Sequence, residues 1–318
     1  MRKLFKYLGI FLGLIVVVIS LALLTIYFRG IPRYKTDIPK NIKVEITPQR
    51  VERGKKLASM LCVKCHLDPK TGRLTGKYLD EVPTEFGEAY SLNITQHPTH
   101  GIGSWTDGEL VYLLRTGLKR DGQYTPPYMV KLPHMADEDI NSIVAFLRSD
   151  DELVKASDVN DIPSKPSMLC KILCTVAFKP FEMPKQAIVV PDIKDKVSHG
   201  KYLVQGALQC FQCHSADFKS NDDISPEHSV GYCGGGNPMR NHEGVVVRTA
   251  NITPDKETGI GNWNDAQFLS TVKYGKRPDG QPVKFPMEPY AQLSDEETSA
   301  IFAYLQTIPA IQNKIVNN

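Results

Sequence analysis

Two short motifs combine cysteine and histidine at a spacing that suits one kind of chemistry. The sequence reads CVKCH at residues 62–66 and CFQCH at residues 210–214. Two thiols three residues apart lie about one helical turn from each other, so they can bond to the two vinyl groups of one porphyrin while the adjacent histidine faces the iron. The motifs therefore predict covalent haem c at two sites, with thioether bonds from Cys62, Cys65, Cys210 and Cys213 and axial imidazoles from His66 and His214.

Zinc ribbons and redox dithiols also use a Cys-x-x-Cys unit. A zinc ribbon needs a second such pair, and neither half of the chain contains one. Two copies of the complete CxxCH motif therefore favour two molecules of haem c over a zinc site or a reactive dithiol.

The motifs lie in two halves of the sequence that repeat. Residues 93–129 and residues 251–287 align without a gap at an offset of 158 positions, with 13 identities in 37. A repeat of this length indicates two homologous domains, not a solenoid. We predict a first domain at residues 45–150 and a second at residues 196–312.

Each haem iron requires a second axial ligand or an open position. Met129 and Met287 occupy the same place in the repeat, each in a proline-containing loop before the last helix of its half. A thioether in a stiff loop suits a low-spin His/Met haem. Met135 is the rival in the first half, but Leu293 is its counterpart, so we expect Met135 to be a core residue.

The two propionates of each haem need hydrogen-bond donors, because buried charges must be paired. An asparagine, a tryptophan and a cation recur at matching positions in both halves. The predicted propionate contacts are Asn93, Trp105, Arg115, Asn251, Trp263 and Lys273.

The elements that position these residues read as helices and loops, without sustained strand alternation. Thr47 before Pro48 is a helix start, and the periodicity of residues 140–147 predicts an amphipathic last helix whose counterpart opens with a capping box at Ser294. Gly54 and Gly200 lie inside the first helix of each half, where glycine is unfavourable. We expect each to mark a close crossing with the last helix.

The segment between the halves, residues 151–195, contains five prolines and is predicted to be a linker with fixed turns. Residues 168–178 within it are largely apolar and are expected to pack against a domain. Three cysteines remain after haem attachment: Cys170, Cys174 and Cys233. In an oxidising compartment Cys233 would pair with Cys170 or with Cys174, leaving one thiol free.

The N-terminal region, residues 1–30, has the character of a membrane anchor. Its charge-free run at residues 7–28 would be about 33 Å long as a helix, enough to cross a bilayer core. A cleaved signal peptide is the alternative, but no small-residue cleavage site follows the run. Residues 1–44 carry a net charge of +7 and the remainder carries −4, so the haem-bearing part is acidic and nucleic acid is not expected as a partner.

Three stretches of the second half resemble a known family: NITPDKETGIG-x-W, the loop at residues 286–290 and LSDEETSAIFAYL. They are similar to the multihaem cytochrome c subunits of membrane-bound bacterial alcohol and gluconate dehydrogenases. The resemblance implies an all-α fold with tandem class I cytochrome c domains, and axial pairs of His66 with Met129 and of His214 with Met287. Such subunits usually have three haem domains and a C-terminal membrane attachment, whereas this chain has two CxxCH motifs and an N-terminal apolar segment.

The resemblance also implies a function and a place in the cell. We expect a single-pass protein of the bacterial inner membrane, with its haem domains in the periplasm, where haem c is attached. It would relay electrons between a dehydrogenase or quinol-oxidising complex and a terminal acceptor such as an oxidase. The alternative is a dihaem enzyme, a peroxidase or a thiosulfate-oxidising protein, in which haem 1 is the reactive site.

Overall fold

The computed structural model describes residues 2–241 and 243–316, and it is built mainly from helices and loops. The helices are α1 (Arg2–Arg29), α2 (Pro48–Leu61), α3 (Val63–His66), α4 (Asp107–Thr116), α5 (Asp137–Leu147), α6 (Met168–Val176), α7 (Lys196–Tyr202), α8 (Cys210–His214), α9 (Asp265–Tyr274) and α10 (Asp295–Leu305). Two antiparallel pairs of short strands accompany them: β1 (Gly87–Glu88) with β2 (Lys165–Pro166), and β3 (Pro238–Arg240) with β4 (Val246–Arg248).

The same helix pair forms the core of each half. Helix α2 packs on α5, and α7 packs on α10. At Gly54 an added Cβ would lie 1.8 Å from the Ser142 carbonyl oxygen, and at Gly200 it would lie 1.9 Å from that of Ala300. The predicted close crossings are confirmed, because no side chain larger than hydrogen fits between these backbones.

Local signals in the sequence determine where the helices begin and end. The Thr47 hydroxyl accepts a hydrogen bond from the Arg50 N–H at 3.3 Å, and Ser294 forms a reciprocal capping box with Glu297. Helices α4 and α9 end at Gly117 and Gly275, both in the left-handed conformation that glycine adopts without strain. All four helix boundaries therefore follow from the sequence.

The first helix of the second half contains two more residues between its glycine and the CxxC motif than its counterpart does. The structure absorbs them in a π-helical turn, Leu203–Ala207, followed by Gln209 in a left-handed conformation with φ 53°. A π-turn is the usual way in which a helix accommodates inserted residues. The CxxCH segment consequently keeps its place at the end of the helix in both halves.

Residues 151–195 lie along the first half instead of crossing open solvent. The N–H groups of Leu74 and Gln96 donate to the carbonyls of Leu153 and Val154 at 2.8 and 2.9 Å, and the Val154 side chain is fully buried. This segment thus covers part of the first half, and α6 lies within it.

Among the described residues, α1 is the helix that is long and apolar enough to cross a membrane, judged by length and composition. None of its residues is buried. The segment that follows is fixed to the first half: the Tyr34 N–H donates to the Gly122 carbonyl at 2.9 Å, and the Tyr124 N–H donates to that of Pro32 at 3.1 Å. The side chains of residues 31, 34 and 38 pack on a small core that includes Tyr112.

The two halves are joined by a cluster of charged groups at equivalent positions. The Arg53 guanidinium of α2 donates to both carboxylate oxygens of Asp139 at 2.9 Å and to Glu297 of α10 at 2.8 Å. In the opposite direction, the Tyr202 hydroxyl of α7 donates to Asp139 at 2.5 Å. Asp139 and Glu297 are themselves 158 positions apart, so the same position of the repeat supplies an acceptor in each half.

Candidate functional site

The two CxxCH motifs form short helices at the end of the first long helix of each half. Cys62 is the N-cap of α3, and α8 begins at Cys210. All four motif cysteines are half-buried free thiols. Burial raises the pKa of Cys62 and of Cys210 to about 12, so both sulfurs are protonated at neutral pH.

The two motif histidines have the same second partner. The Nδ1 atom of His66 lies 2.8 Å from the Leu92 carbonyl oxygen, and that of His214 lies 2.8 Å from the Ala250 carbonyl oxygen. A carbonyl oxygen only accepts, so Nδ1 carries the proton and Nε2 keeps a free lone pair. This is the tautomer and the orientation that a histidine ligand of a metal requires. The residues therefore fit a haem with Nε2 ligation.

The methionine loops are held in the same way in both halves. The Met129 N–H donates to the Pro126 carbonyl at 3.0 Å, and the Met287 N–H donates to the Lys284 carbonyl at 3.1 Å. Three residues further on, each loop is bonded back to the middle helix, by Leu132 to α4 and by Tyr290 to α9. Both methionines are half-buried. The structure thus gives Met129 and Met287 equivalent places, as the repeat predicts.

The cations predicted near the propionates join the middle helix of each half to the start of the last helix. Arg115 is buried, donates to the carbonyls of Leu132 and Pro133 at 3.1 and 3.3 Å, and pairs with Asp137 at 2.5 Å. Lys273 pairs with Asp295, at the start of α10. Both cations therefore have protein partners, and their contact with a propionate stays a prediction.

The two predicted asparagines close loops. Both N–H bonds of the Asn93 amide are donated to the protein, to the carbonyls of Ser157 and Val159 at 3.0 Å. The Asn251 amide donates to the Thr258 hydroxyl at 3.0 Å and to the Ile311 carbonyl at 2.7 Å. In this conformation neither amide has an N–H left for a propionate.

The tryptophans are different, because both are half-buried and neither indole N–H has a hydrogen-bond partner within the described part of the chain. The Arg120 guanidinium lies 5.2 Å from the Trp105 ring centroid. An unpaired indole N–H on a large apolar ring is the kind of donor that a haem propionate needs. Of the six predicted propionate contacts, Trp105 and Trp263 have the clearest capacity for that role.

Each CxxCH segment touches the methionine loop of the other half. Lys64, inside the first motif, lies 4.8 Å from the Phe285 ring centroid and 3.5 Å from the Glu288 carboxylate. From the other side, the Gln209 side chain next to α8 donates to the Lys131 carbonyl at 2.8 Å. The two candidate haem sites are consequently neighbours across the contact between the halves.

Lys131 and the carbonyls of Leu92 and Ala250 are parts of the site that the sequence does not reveal. The Lys131 ammonium donates to the Pro126 carbonyl at 2.6 Å beneath the Met129 loop, and burial lowers its pKa to about 7. In the sequence, Lys131 stands out only because it is close to a predicted ligand, which is weak evidence that it belongs to the site. The carbonyls carry no side-chain signature, so only the fold identifies them.

The remaining cysteines are free thiols, which corrects the expectation of a disulfide from Cys233. Cys170 and Cys174 are buried in the small core beside α6, whereas Cys233 belongs to the main core. The Ile252 N–H donates to the Cys233 carbonyl at 2.9 Å, and its counterpart Ile94 donates to Leu74 at 2.9 Å. Cys233 thus takes the place of a leucine in the repeat, which explains why it is fully buried.

Comparison with known proteins agrees with this geometry. Residues 197–309 match the family model of cytochrome c. The fructose dehydrogenase cytochrome subunit of Gluconobacter japonicus is 30% identical over 274 residues, which cover 82% of this chain and 53% of that protein. The alcohol dehydrogenase (quinone) cytochrome c subunit of Gluconobacter oxydans is 27% identical, covering 82% of this chain and 55% of that protein. A diheme c-type cytochrome of Cereibacter sphaeroides is 29% identical, covering 79% and 83%.

The chain spans about half the length of the two dehydrogenase subunits and most of the length of the diheme protein. The similarity extends beyond the part that the family model matches, because each alignment covers about four-fifths of the chain. Residues 197–309 form a cytochrome c domain, and about four-fifths of the chain is similar to the cytochrome c subunits of fructose, alcohol and gluconate dehydrogenases.

Proposed function

We propose that this chain is a dihaem c-type cytochrome with tandem class I cytochrome c domains at residues 45–150 and 196–312. Cys62 and Cys65 hold the first haem, and Cys210 and Cys213 hold the second. Each haem iron exchanges one electron between its ferric and ferrous states when the group is bound. The chain relays electrons between a dehydrogenase or quinol-oxidising complex and a terminal acceptor.

The observation that carries this proposal is the matched pair of histidine contacts. In each half, Nδ1 is bonded to a loop carbonyl and Nε2 is left as the ligand atom. We assign His66 with Met129, and His214 with Met287, as the axial pairs. Two filled axial positions at each iron leave no place for a substrate, which favours electron transfer over catalysis at haem 1.

The contact between the halves supports a relay within one chain. Burial raises the pKa of the Cys213 thiol, and the charge of Lys64 from the first half opposes that rise. The two attachment segments are thus close enough to influence each other electrostatically.

Residues 1–30 are proposed to be an uncleaved anchor in the bacterial inner membrane, with both domains in the periplasm. The support is the length and apolar character of α1 and the packing of residues 31–38 on the first half. A periplasmic location agrees with covalent haem attachment and leaves the acidic haem-bearing part free to meet soluble or membrane-bound redox partners.

The test is spectroscopy of the purified full chain. A haemochromogen assay is expected to give two haems per chain, and EPR is expected to show two low-spin His/Met signals in the oxidised protein. Met129→Ala and Met287→Ala should each convert one signal to high spin and leave the other unchanged. Met135→Leu is the matched control, because Met135 is fully buried in the core and is not expected to reach the iron.

A high-spin signal or a bis-histidine signal in the unsubstituted chain would overturn the carrier assignment and favour the dihaem enzyme. One haem per chain would overturn the tandem arrangement. Identifying the proteins that co-purify from native membranes would then establish the donor and the acceptor.

A further inference from the structure

Helix α6 is apolar except for Lys171 and Thr175, which lie on one side of it, and only part of its apolar surface is covered. Cys170 and Cys174 are fully buried against the small core below the helix. On the opposite side, Leu169 and Val176 are 45% and 64% exposed. With residues 172 and 173 they form a stripe at spacings of three, four and seven, the pattern of an apolar helix face. Adjoining exposed apolar side chains of this kind are typical of a surface that contacts a protein or a membrane.

The two polar side chains of α6, Lys171 and Thr175, are half-buried, and each has a partner within the protein. The Thr175 hydroxyl donates to the Lys171 carbonyl at 2.7 Å. The Lys171 ammonium donates to the Tyr27 carbonyl at 3.4 Å and lies 4.7 Å from the centroid of the Tyr27 ring. The Tyr27 carbonyl belongs to the last turn of α1, whose oxygens have no intrahelical partner, and a cation there is stabilising.

The contact with Tyr27 places α6 beside the end of α1. Tyr27 is two residues from the end of the helix, or about 3 Å along its axis at 1.5 Å per residue. For a helix that spans a bilayer, this is the level at which the hydrocarbon meets the headgroups and at which Tyr side chains concentrate. The residue just before α6 is also held in place, because the Ser167 N–H donates to the Phe86 carbonyl at 2.9 Å, next to the β1–β2 pair.

We propose that α6 is a second membrane contact: it lies in the headgroup–acyl boundary of the periplasmic leaflet, alongside α1, with Leu169 and Val176 directed into the lipid. This inference rests on the proposed anchor. A bilayer surface is the occupant that the structure favours, because α6 is bonded to the segment that enters the bilayer. An amphipathic helix in this position adds apolar contact area to that of the spanning helix.

The test is a map of lipid contacts on the full haem-loaded chain. The chain is reconstituted in nanodiscs of phosphatidylethanolamine and phosphatidylglycerol that contain a diazirine-bearing phosphatidylcholine, then irradiated and digested with trypsin. We expect adducts in the peptide of residues 7–29 and in the peptides of residues 156–171 and 172–185, which contain Leu169 and Val176 respectively. The matched control is the peptide of residues 241–248, where Val245 and Val246 are each 51% exposed and far from α1 in sequence. Labelling of residues 172–185 should exceed that control by at least about fivefold, because only a face at the boundary meets acyl chains.

A double substitution, Leu169→Glu with Val176→Glu, should abolish that excess and leave labelling of residues 7–29 unchanged. Val245→Glu with Val246→Glu is the control and should change neither. If residues 7–29 are labelled but residues 172–185 are not above the control peptide, the inference is wrong and the anchor stands; this is also the result expected if a protein partner covers α6. If residues 7–29 are unlabelled, the proposed anchor itself is wrong. The map of the unsubstituted chain decides the question even if the variant does not fold.

Discussion

Arg53 is the side chain whose loss should separate the two halves most effectively. Its guanidinium is 27% exposed, and it joins Asp139, which is 3% exposed, to Glu297, which is 9% exposed. Removing one partner of a buried ion pair typically costs about 3–5 kcal/mol, whereas a solvent-exposed pair is worth about 0–1 kcal/mol. Lys56 still pairs with Glu297 in the Arg53→Met variant, and Tyr202 still donates to Asp139. We therefore expect a loss of about 2–4 kcal/mol in the free energy of unfolding at pH 7.

The loss should depend on pH in a defined direction. Burial acts to raise the pKa of Glu297, but hydrogen bonds from Lys56, from the Ser294 N–H and from Arg53 outweigh it, so the pKa is lowered. A carboxyl whose folded pKa is lowered contributes stability above its unfolded pKa of about 4.3 and loses it as the pH falls through the folded value. Without Arg53 the pKa of Glu297 rises. The difference in the free energy of unfolding between the unsubstituted chain and the variant should therefore be largest at pH 7 and should decrease below about pH 4.3.

Urea unfolding of the haem-loaded chain in detergent, followed by circular dichroism at pH 7 and at pH 4, measures both effects. Arg50→Met is the matched control. Arg50 lies on the same helix and binds Glu138 through two hydrogen bonds at 2.7 and 2.9 Å, but that pair stays within the first half and Glu138 is 56% exposed. It should cost less than about 1 kcal/mol. If Arg53→Met costs no more than Arg50→Met, or costs the same at both pH values, the assignment of Arg53 as the joint between the halves is refuted.

Three further outcomes are expected. Gly54→Ala and Gly200→Ala should each destabilise the protein by about 2–3 kcal/mol despite the better helix propensity of alanine, because the new methyl group meets a backbone carbonyl; thermal unfolding checks this, and an unchanged melting temperature would contradict the close crossing. Trp105→Phe should change the potential of haem 1 and its pH dependence in a spectroelectrochemical titration, and identical curves would exclude a propionate contact. Lys64→Met should lower the reduction potential of haem 2, since a positive charge near Cys213 is lost, while changing stability by less than about 1 kcal/mol; a change confined to haem 1 would contradict the contact between the halves.

The repeat made much of the helical framework predictable. Gly54 and Gly200 recur in both halves, so the sequence predicted both close crossings, and the capping box at Ser294 followed from residue type and spacing. The equivalent placing of Met129 and Met287 followed for the same reason. These features depend on local backbone chemistry, which a short stretch of sequence records.

Contacts between distant segments were not predictable in this way. The Arg53 bridge joins residues 244 positions apart, and the local sequence around either residue does not indicate which residue it pairs with. The π-turn before Cys210 follows from a two-residue length difference, but its location within that helix depends on tertiary packing. The amides of Asn93 and Asn251 illustrate the same limit. Their recurrence in both halves indicated a shared role, but only the fold showed that this role is to close loops.

The packing of residues 31–38 on the first half determines how far above the bilayer electrons can be handed over. A flexible tether would let the haem domains sample a range of heights that grows with the square root of its length. Here the chain passes from α1 through Gly30 directly into contacts with Gly122 and Tyr124, so no free tether remains. In the proposed membrane-bound protein the first haem therefore stays at a set distance from the membrane plane. A partner whose electron-donating or electron-accepting centre lies at that height can reach the first haem by lateral diffusion. A partner whose centre lies closer to the membrane or farther from it cannot.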